Sequence, residues 1–222
     1  MKFKRILVGL TLLGLSSFAN SETEDAAQVS SIDAFSMSSA IRSVVASPDG
    51  KKLAILRATT KNGDYIIEIR DPNNLDAEPV RLGADKMLIS SIVWLNDEKL
   101  GVMFRQILED GSRKYWVNKF AITDADGKGD WLLPFKKKRN VQFNIINILP
   151  DKKDEVLVEV DINNNYIPDV VRFNINTGRS VTVMRGNEKV SGSFVSDYDG
   201  EIRIAQGWNK SDNAIDYYAR DK

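Results

Sequence analysis

The sequence predicts an all-β protein, and three observations predict it. The stretch from Ser43 to Leu56, SVVASPDGKKLAIL, reads as two apolar strands joined by a tight turn. The same pattern returns three more times along the chain. Outside the N-terminal segment, no comparable run carries helical periodicity.

Residues 1–19 read as a secretory signal. Lys2, Lys4 and Arg5 form a positive start, Ile6 to Leu15 an apolar run, and Ser17 and Ala19 the small residues before a cleavage point. The run is short for a membrane span, which needs about 20 apolar residues, and no cysteine is present to carry a lipid. Residues 20–31 form a polar, acidic leader (Glu22, Glu24, Asp25), and order is expected to begin near Ile32 to Phe35. A periplasmic or secreted location follows. Cleavage removes three cations and no anion, so 31 basic and 31 acidic residues become 28 and 31, a net charge of −3. That balance argues against nucleic acid and against a membrane surface as partners. Without cysteine, stability must come from packing alone.

The first hairpin is explained by its turn residues. Ser47 suits the first turn position, Pro48 presets φ at the second, and Asp49 and Gly50 complete the turn. The second copy runs from Ser91 to Phe104, with Asn96 and Asp97 in its turn. The third runs from Ile146 to Val160 around Pro150 and Asp151, and the fourth from Gly192 to Ala205 around Asp199 and Gly200. Asp49, Asp97, Asp151 and Asp199 are equivalent, at intervals of 48, 54 and 48 residues. Each unit then continues in the same order. Tyr65 to Arg70 and Pro79 to Leu82 follow the first hairpin, and Tyr115 to Ile122 and Trp131 to Leu133 the second. Asp169 to Ile175 and Ser180 to Met184 follow the third.

Four short strands per unit of about 50 residues is the layout of a β-propeller blade. The sequence therefore predicts a partial β-propeller over residues 32–222, of about four four-stranded blades with the last incomplete. In the fourth unit only Ala214 to Arg220 reads as a third strand, and if the arc is unclosed Ile202, Ile204, Ile215 and Tyr217 are expected to be exposed. Either Ile32 to Met37 closes a four-bladed ring, or the chain is a fragment of a larger propeller; the second is expected, because four blades is the lower limit.

Candidate chemistry is sparse. Without histidine or cysteine, a transition metal has only carboxylates and carbonyls as ligands, so zinc, copper and other cofactors are not expected. Two stretches invite calcium, Asp124 to Asp130 and Asp161 to Asn165. The first lacks EF-hand spacing; the second places Tyr166 where glycine is needed and Arg172 where the bidentate acid belongs. Both read as hairpin turns. The basic run Lys136 to Arg139 reads as a solvated loop. Trp94 and Trp116 lie in strand patterns and are expected in the core, while Trp208 opens a polar loop and is the aromatic nominated for contact with a partner.

The order SPDG, WLNDEKL, ILPDKKDEVLVEV, NYIPDVVRFNINTG, SDYDGEIRIA and DYYARD resembles secreted bacterial peptidases of the prolyl oligopeptidase family, on the dipeptidyl-aminopeptidase and acylaminoacyl-peptidase side. The likeness covers roughly residues 32–222. It implies a serine peptidase, a hydrolase in which a β-propeller gates the access of peptides to a C-terminal α/β-hydrolase domain with a Ser-Asp-His triad. This chain has no histidine and no G-x-S-x-G elbow, so no catalytic residue is carried over. The expected function is that of the propeller region of such an exported enzyme, inactive in proteolysis alone, with peptides and the hydrolase domain as partners. The alternative is a self-contained periplasmic small propeller acting as a binding or scaffold protein.

Overall fold

The computed structural model describes residues 39–61, 63–84, 87–138 and 140–220. The expected signal, the leader and the Ile32 to Met37 segment lie outside the described residues. Among the described residues every regular element is a strand, and the strands form four antiparallel sheets in chain order. Sheet 1 contains β1 (Ile41–Ala46), β2 (Leu53–Ala58), β3 (Tyr65–Arg70) and β4 (Val80–Leu82), neighbours in that order. Sheet 2 contains β5 (Leu88–Trp94), β6 (Lys99–Asp110) and β7 (Arg113–Asp124). Sheet 3 contains β8 (Phe143–Asn147), β9 (Glu155–Val160), β10 (Asp169–Asn174) and β11 (Ser180–Met184). Sheet 4 contains β12 (Gly192–Ser196), β13 (Ile202–Asn209) and β14 (Ala214–Ala219). These are meandering sheets of three or four strands, the propeller-like all-β architecture that the repeats predict.

The repeated turns have the expected geometry. In the first, Gly50 N–H donates to the Ser47 carbonyl at 2.9 Å, and Ser47 N–H closes the hairpin on the Lys52 carbonyl at 2.8 Å. The turn is further fixed by the Ser47 hydroxyl donating to Asp49 and accepting from Lys52 N–H. Equivalent bonds run from Lys152 N–H to the Leu149 carbonyl and from Gly200 N–H to the Asp197 carbonyl. Gly50 sits at φ 71°, left-handed backbone that a side chain disfavours, although a Cβ there would meet nothing within 4 Å. Gly50→Val is therefore expected to lower stability by about 1–3 kcal/mol through the backbone alone. An unchanged urea midpoint for this variant would contradict that turn.

The sheets pack face to face, and strand alternation supplies the two faces. Ala54, Leu56, Ile67 and Ile69 of sheet 1 meet Ile92, Trp94, Leu100, Val102 and Phe104 of sheet 2 in one core. On its other face, sheet 2 turns Leu95, Phe120 and Ile122 towards Val156, Val158, Val160, Val171 and Phe173 of sheet 3. Sheet 3 then sends Leu157 and Val170 to Phe194, Ile202 and Ala205 of sheet 4. Odd and even positions of β9 thus enter different cores, which is why Val156-Leu157-Val158 reads as an unbroken apolar run. Each fully buried Leu, Ile or Phe in these layers contributes about 1.5–3 kcal/mol. Among the described residues, no core cluster joins sheet 4 back to sheet 1.

Two sequence expectations need correction. The strand expected at Trp131 to Leu133 shrinks to one bridge, Ile122 with Leu132. Pro134 has no N–H for a continuing ladder, and Asn118 instead bonds Asn140 and Val141. Ile202, expected among the exposed residues of the last unit, is only 5 % exposed. The ladder steps from Val195–Ile204 to Ser196–Ile202, so Arg203 is an extra residue on β13, and this bulge turns Ile202 inward.

Candidate functional site

The equivalent turns interlock from sheet to sheet. Asp97 of the second turn accepts Asp49 N–H at 2.9 Å, and the Lys52 ammonium donates to the Asp97 carbonyl at 2.8 Å. The Asn96 amide donates to the Lys153 carbonyl at 2.9 Å. Asn147, which ends β8, reaches the Asp197 carbonyl at 2.8 Å and the Ser196 hydroxyl at 3.0 Å. Between the first three turns lies a cavity of about 520 Å³, with Leu95 and Leu149 beneath and Asp49, Asp97 and Asp154 at its rim. The Ser47 hydroxyl and the Lys51 N–H hold the Asp49 carboxyl below the usual carboxylate range. These acids fix turns: Asp49 accepts from the Ser47 hydroxyl, and Asp97 from Asp49 N–H.

A second concavity lies beside the longest hairpin. β6 and β7 each run for 12 residues and pair from Lys99–Asp124 out to Asp110–Arg113, whereas β5 leaves β6 after Leu88–Arg105. The hairpin therefore outruns its own sheet. Gly111, at φ 59°, begins its two-residue turn. On one face Ile107 stands opposite Trp116, and the two are 48 % and 47 % exposed. The Arg105 guanidinium lies over the Trp116 ring at 4.8 Å. A groove of about 470 Å³ runs alongside, lined by Tyr65, Met87, Leu88, Arg105, Ile107 and Trp116.

Trp116 was expected in the core, and the structure corrects this. Alternation assigns it a face correctly, but at that point of the hairpin the face has no sheet against it. Trp94 is buried as expected and donates its indole N–H to the Val45 carbonyl at 3.0 Å. Trp208 is exposed as expected, on the outward face of sheet 4 opposite Ile215.

The two acidic stretches serve local turns. Asp124 pairs with Lys99 at 2.6 Å, Asp126 accepts Lys128 N–H, and Asp161 accepts the N–H groups of Asn165 and Tyr166. Among the described residues, no group of three acids converges as a metal site would require. Lys138 of the basic run is tied down, donating to the Ile162 carbonyl and to Asn164. A buried acid that the sequence did not single out is Glu68, met by Arg57, Arg70 and Arg81 on the face of sheet 1 turned away from sheet 2.

What the four sheets define is a propeller-like all-β protein. No family model and no curated protein matches the chain. Among solved structures, an acylaminoacyl peptidase from Pyrococcus horikoshii is similar at a TM-score of 0.49 and 18 % identity, covering 77 % of this chain and 28 % of that one. The chain thus spans about 28 % of that peptidase's length.

Proposed function

We propose that this chain is the N-terminal propeller region of an exported serine peptidase of the prolyl oligopeptidase family, gating peptide access to an α/β-hydrolase domain. The observation that carries the proposal is the coincidence of two orders. The motifs resembling that family fall on four sheets stacked by three successive cores, and sheet 4 turns a further apolar face outward. The signal-like residues 1–19 support export. Catalysis belongs to the hydrolase domain, since this chain has no histidine to act as base.

The test is the coding sequence beyond Lys222. Continuation in frame through further hairpin repeats to a G-x-S-x-G elbow and a later histidine is the expected result. A stop codon followed by an unrelated gene would overturn it and favour the self-contained small propeller. The purified chain itself is expected to release no chromophore from aminoacyl or acyl-peptide substrates. Turnover that persists through purification and is blocked by a serine-directed inhibitor would contradict this assignment of roles.

A further inference from the structure

We infer that the groove beside the β6–β7 hairpin receives an extended, carboxylate-bearing peptide segment, which adds as a strand to the edge of β6 past Arg105, where no described residue pairs with it. The inference goes beyond the proposed function, because the groove belongs to sheet 2 whatever domain accompanies it.

Three observations carry it. The first is backbone. Asp110 and Arg113 close a two-residue turn, so they exchange hydrogen bonds with each other, and alternate residues back along β6 do the same with β7. The N–H and C=O of Ile107 and Glu109 then point to the side that β5 occupies further along. β5 stops at Leu88, opposite Arg105, and no ladder pair continues past it among the described residues. An exposed strand edge of this kind is a template for another strand.

The second observation is the place of the groove. Its volume of about 470 Å³ lies at this edge, between Tyr65, Met87 and Leu88 on one side and Ile107 and Trp116 on the other. A strand continuing the line of β5 would therefore lay an apolar side chain against Ile107 and Trp116.

The third is charge. Arg105 stacks on Trp116 and pairs with no carboxylate among the described residues, whereas the neighbouring Glu109 is satisfied by Lys114 at 2.7 Å. A guanidinium with one face covered by indole keeps its planar fork of donors free for a carboxylate in the plane. Asp64 also lines the groove; its carboxylate accepts from the Thr60 hydroxyl at 3.1 Å. The occupant that satisfies edge, apolar wall and cation together is an extended peptide with an acidic residue near an apolar one.

The probe is the acetylated, amidated pentapeptide Thr-Phe-Thr-Glu-Thr, compared with its lysine counterpart Thr-Phe-Thr-Lys-Thr, by titration calorimetry on the purified chain. The glutamate peptide is expected to bind, and the lysine peptide to bind about tenfold more weakly or less. Arg105→Glu should reverse that preference, and Trp116→Ala should weaken both. Ile107→Pro, which removes an outward N–H, should weaken both peptides, and its melting temperature beside that of wild type reports whether the fold is intact. Absence of binding to wild type, equal binding of both peptides, or a preference untouched by Arg105→Glu would overturn the inference. So would a dimer that Arg105→Glu dissociates while neither peptide binds, since the edge would then serve a second copy of the chain.

Discussion

Gly207→Ala is expected to destabilise the protein more than any other single methyl addition. Gly207 lies on β13, opposite Asp216, and is buried. A Cβ there would lie 1.5 Å from the Lys189 carbonyl oxygen and 2.5 Å from its carbon, so backbone must move. The segment that would move is held from both ends, by Ser191 N–H on the Gln206 carbonyl and by Asn187 N–H on the Val190 carbonyl. Forced overpacking of this kind costs about 3 kcal/mol, and in a chain of this size that lowers the melting temperature by roughly 10 °C. Gly111→Ala is the control. Its φ of 59° is also unfavourable, but nothing lies within 4 Å of its Cβ, so a loss of only about 1 kcal/mol is expected. Gly207 itself has no positive φ, so equal losses for the two variants would show that the Lys189 contact costs no more than an unfavourable φ does.

Glu68→Gln is the second large effect, and its size depends on pH. Glu68 is 3 % exposed on β3, with Arg70 donating to Oε2 at 3.1 Å and Arg57 and Arg81 to Oε1 at 3.4 Å. Burial opposes its ionisation, but the hydrogen bond and charge of Arg70, then the charge of Arg57 and the hydrogen bond of Arg81, outweigh it and hold the carboxyl below the ordinary glutamate range. A lowered folded-state pKa contributes stability that is complete above the unfolded value and is lost as pH falls through the folded value. Arg57 and Arg81 are about half exposed, so solvent screens their share, and Arg70 supplies most of the partnership. At neutral pH the variant leaves the Arg70 cation without its anion, at a loss of about 2–3 kcal/mol. In acid the wild-type carboxyl is itself neutral and the gap should close. Urea midpoints for both proteins at neutral and acidic pH measure it; a gap independent of pH would mean that the amide's shape, not the lost charge, matters.

The features legible in the sequence are those fixed locally. Pro48, Asp49 and Gly50 specify a turn by their own backbone preferences, and alternation through Leu53 to Leu56 assigns faces, so hairpins and repeats were both readable. What was not readable depends on how far one strand runs past another. Trp116 carries the same pattern as a core tryptophan, and it is exposed because the β6–β7 hairpin runs past the sheet that would cover that face. The clue available was length: β6 and β7 each have 12 residues around a Gly-Ser turn, against seven for β5. Ile202 failed for a related reason, because a one-residue bulge at Arg203 exchanges faces without any mark in composition. Glu68 was unreadable because its three arginines come from β2, β3 and β4, and meet only after register is set.

Sheets 2 and 3 are each covered on both faces, whereas sheet 4 leaves one face open: Val195, Ile204, Trp208, Ile215 and Tyr217 share its outward side, with Ile215 52 % and Tyr217 68 % exposed. The measurement is size-exclusion chromatography with light scattering over a range of concentrations, on the wild type and on a variant with Ile204→Lys and Tyr217→Lys. The wild type is expected to associate as concentration rises, and the variant, melting at the same temperature, to stay monomeric. A wild type that remains monomeric throughout, indistinguishable from the variant, would contradict it.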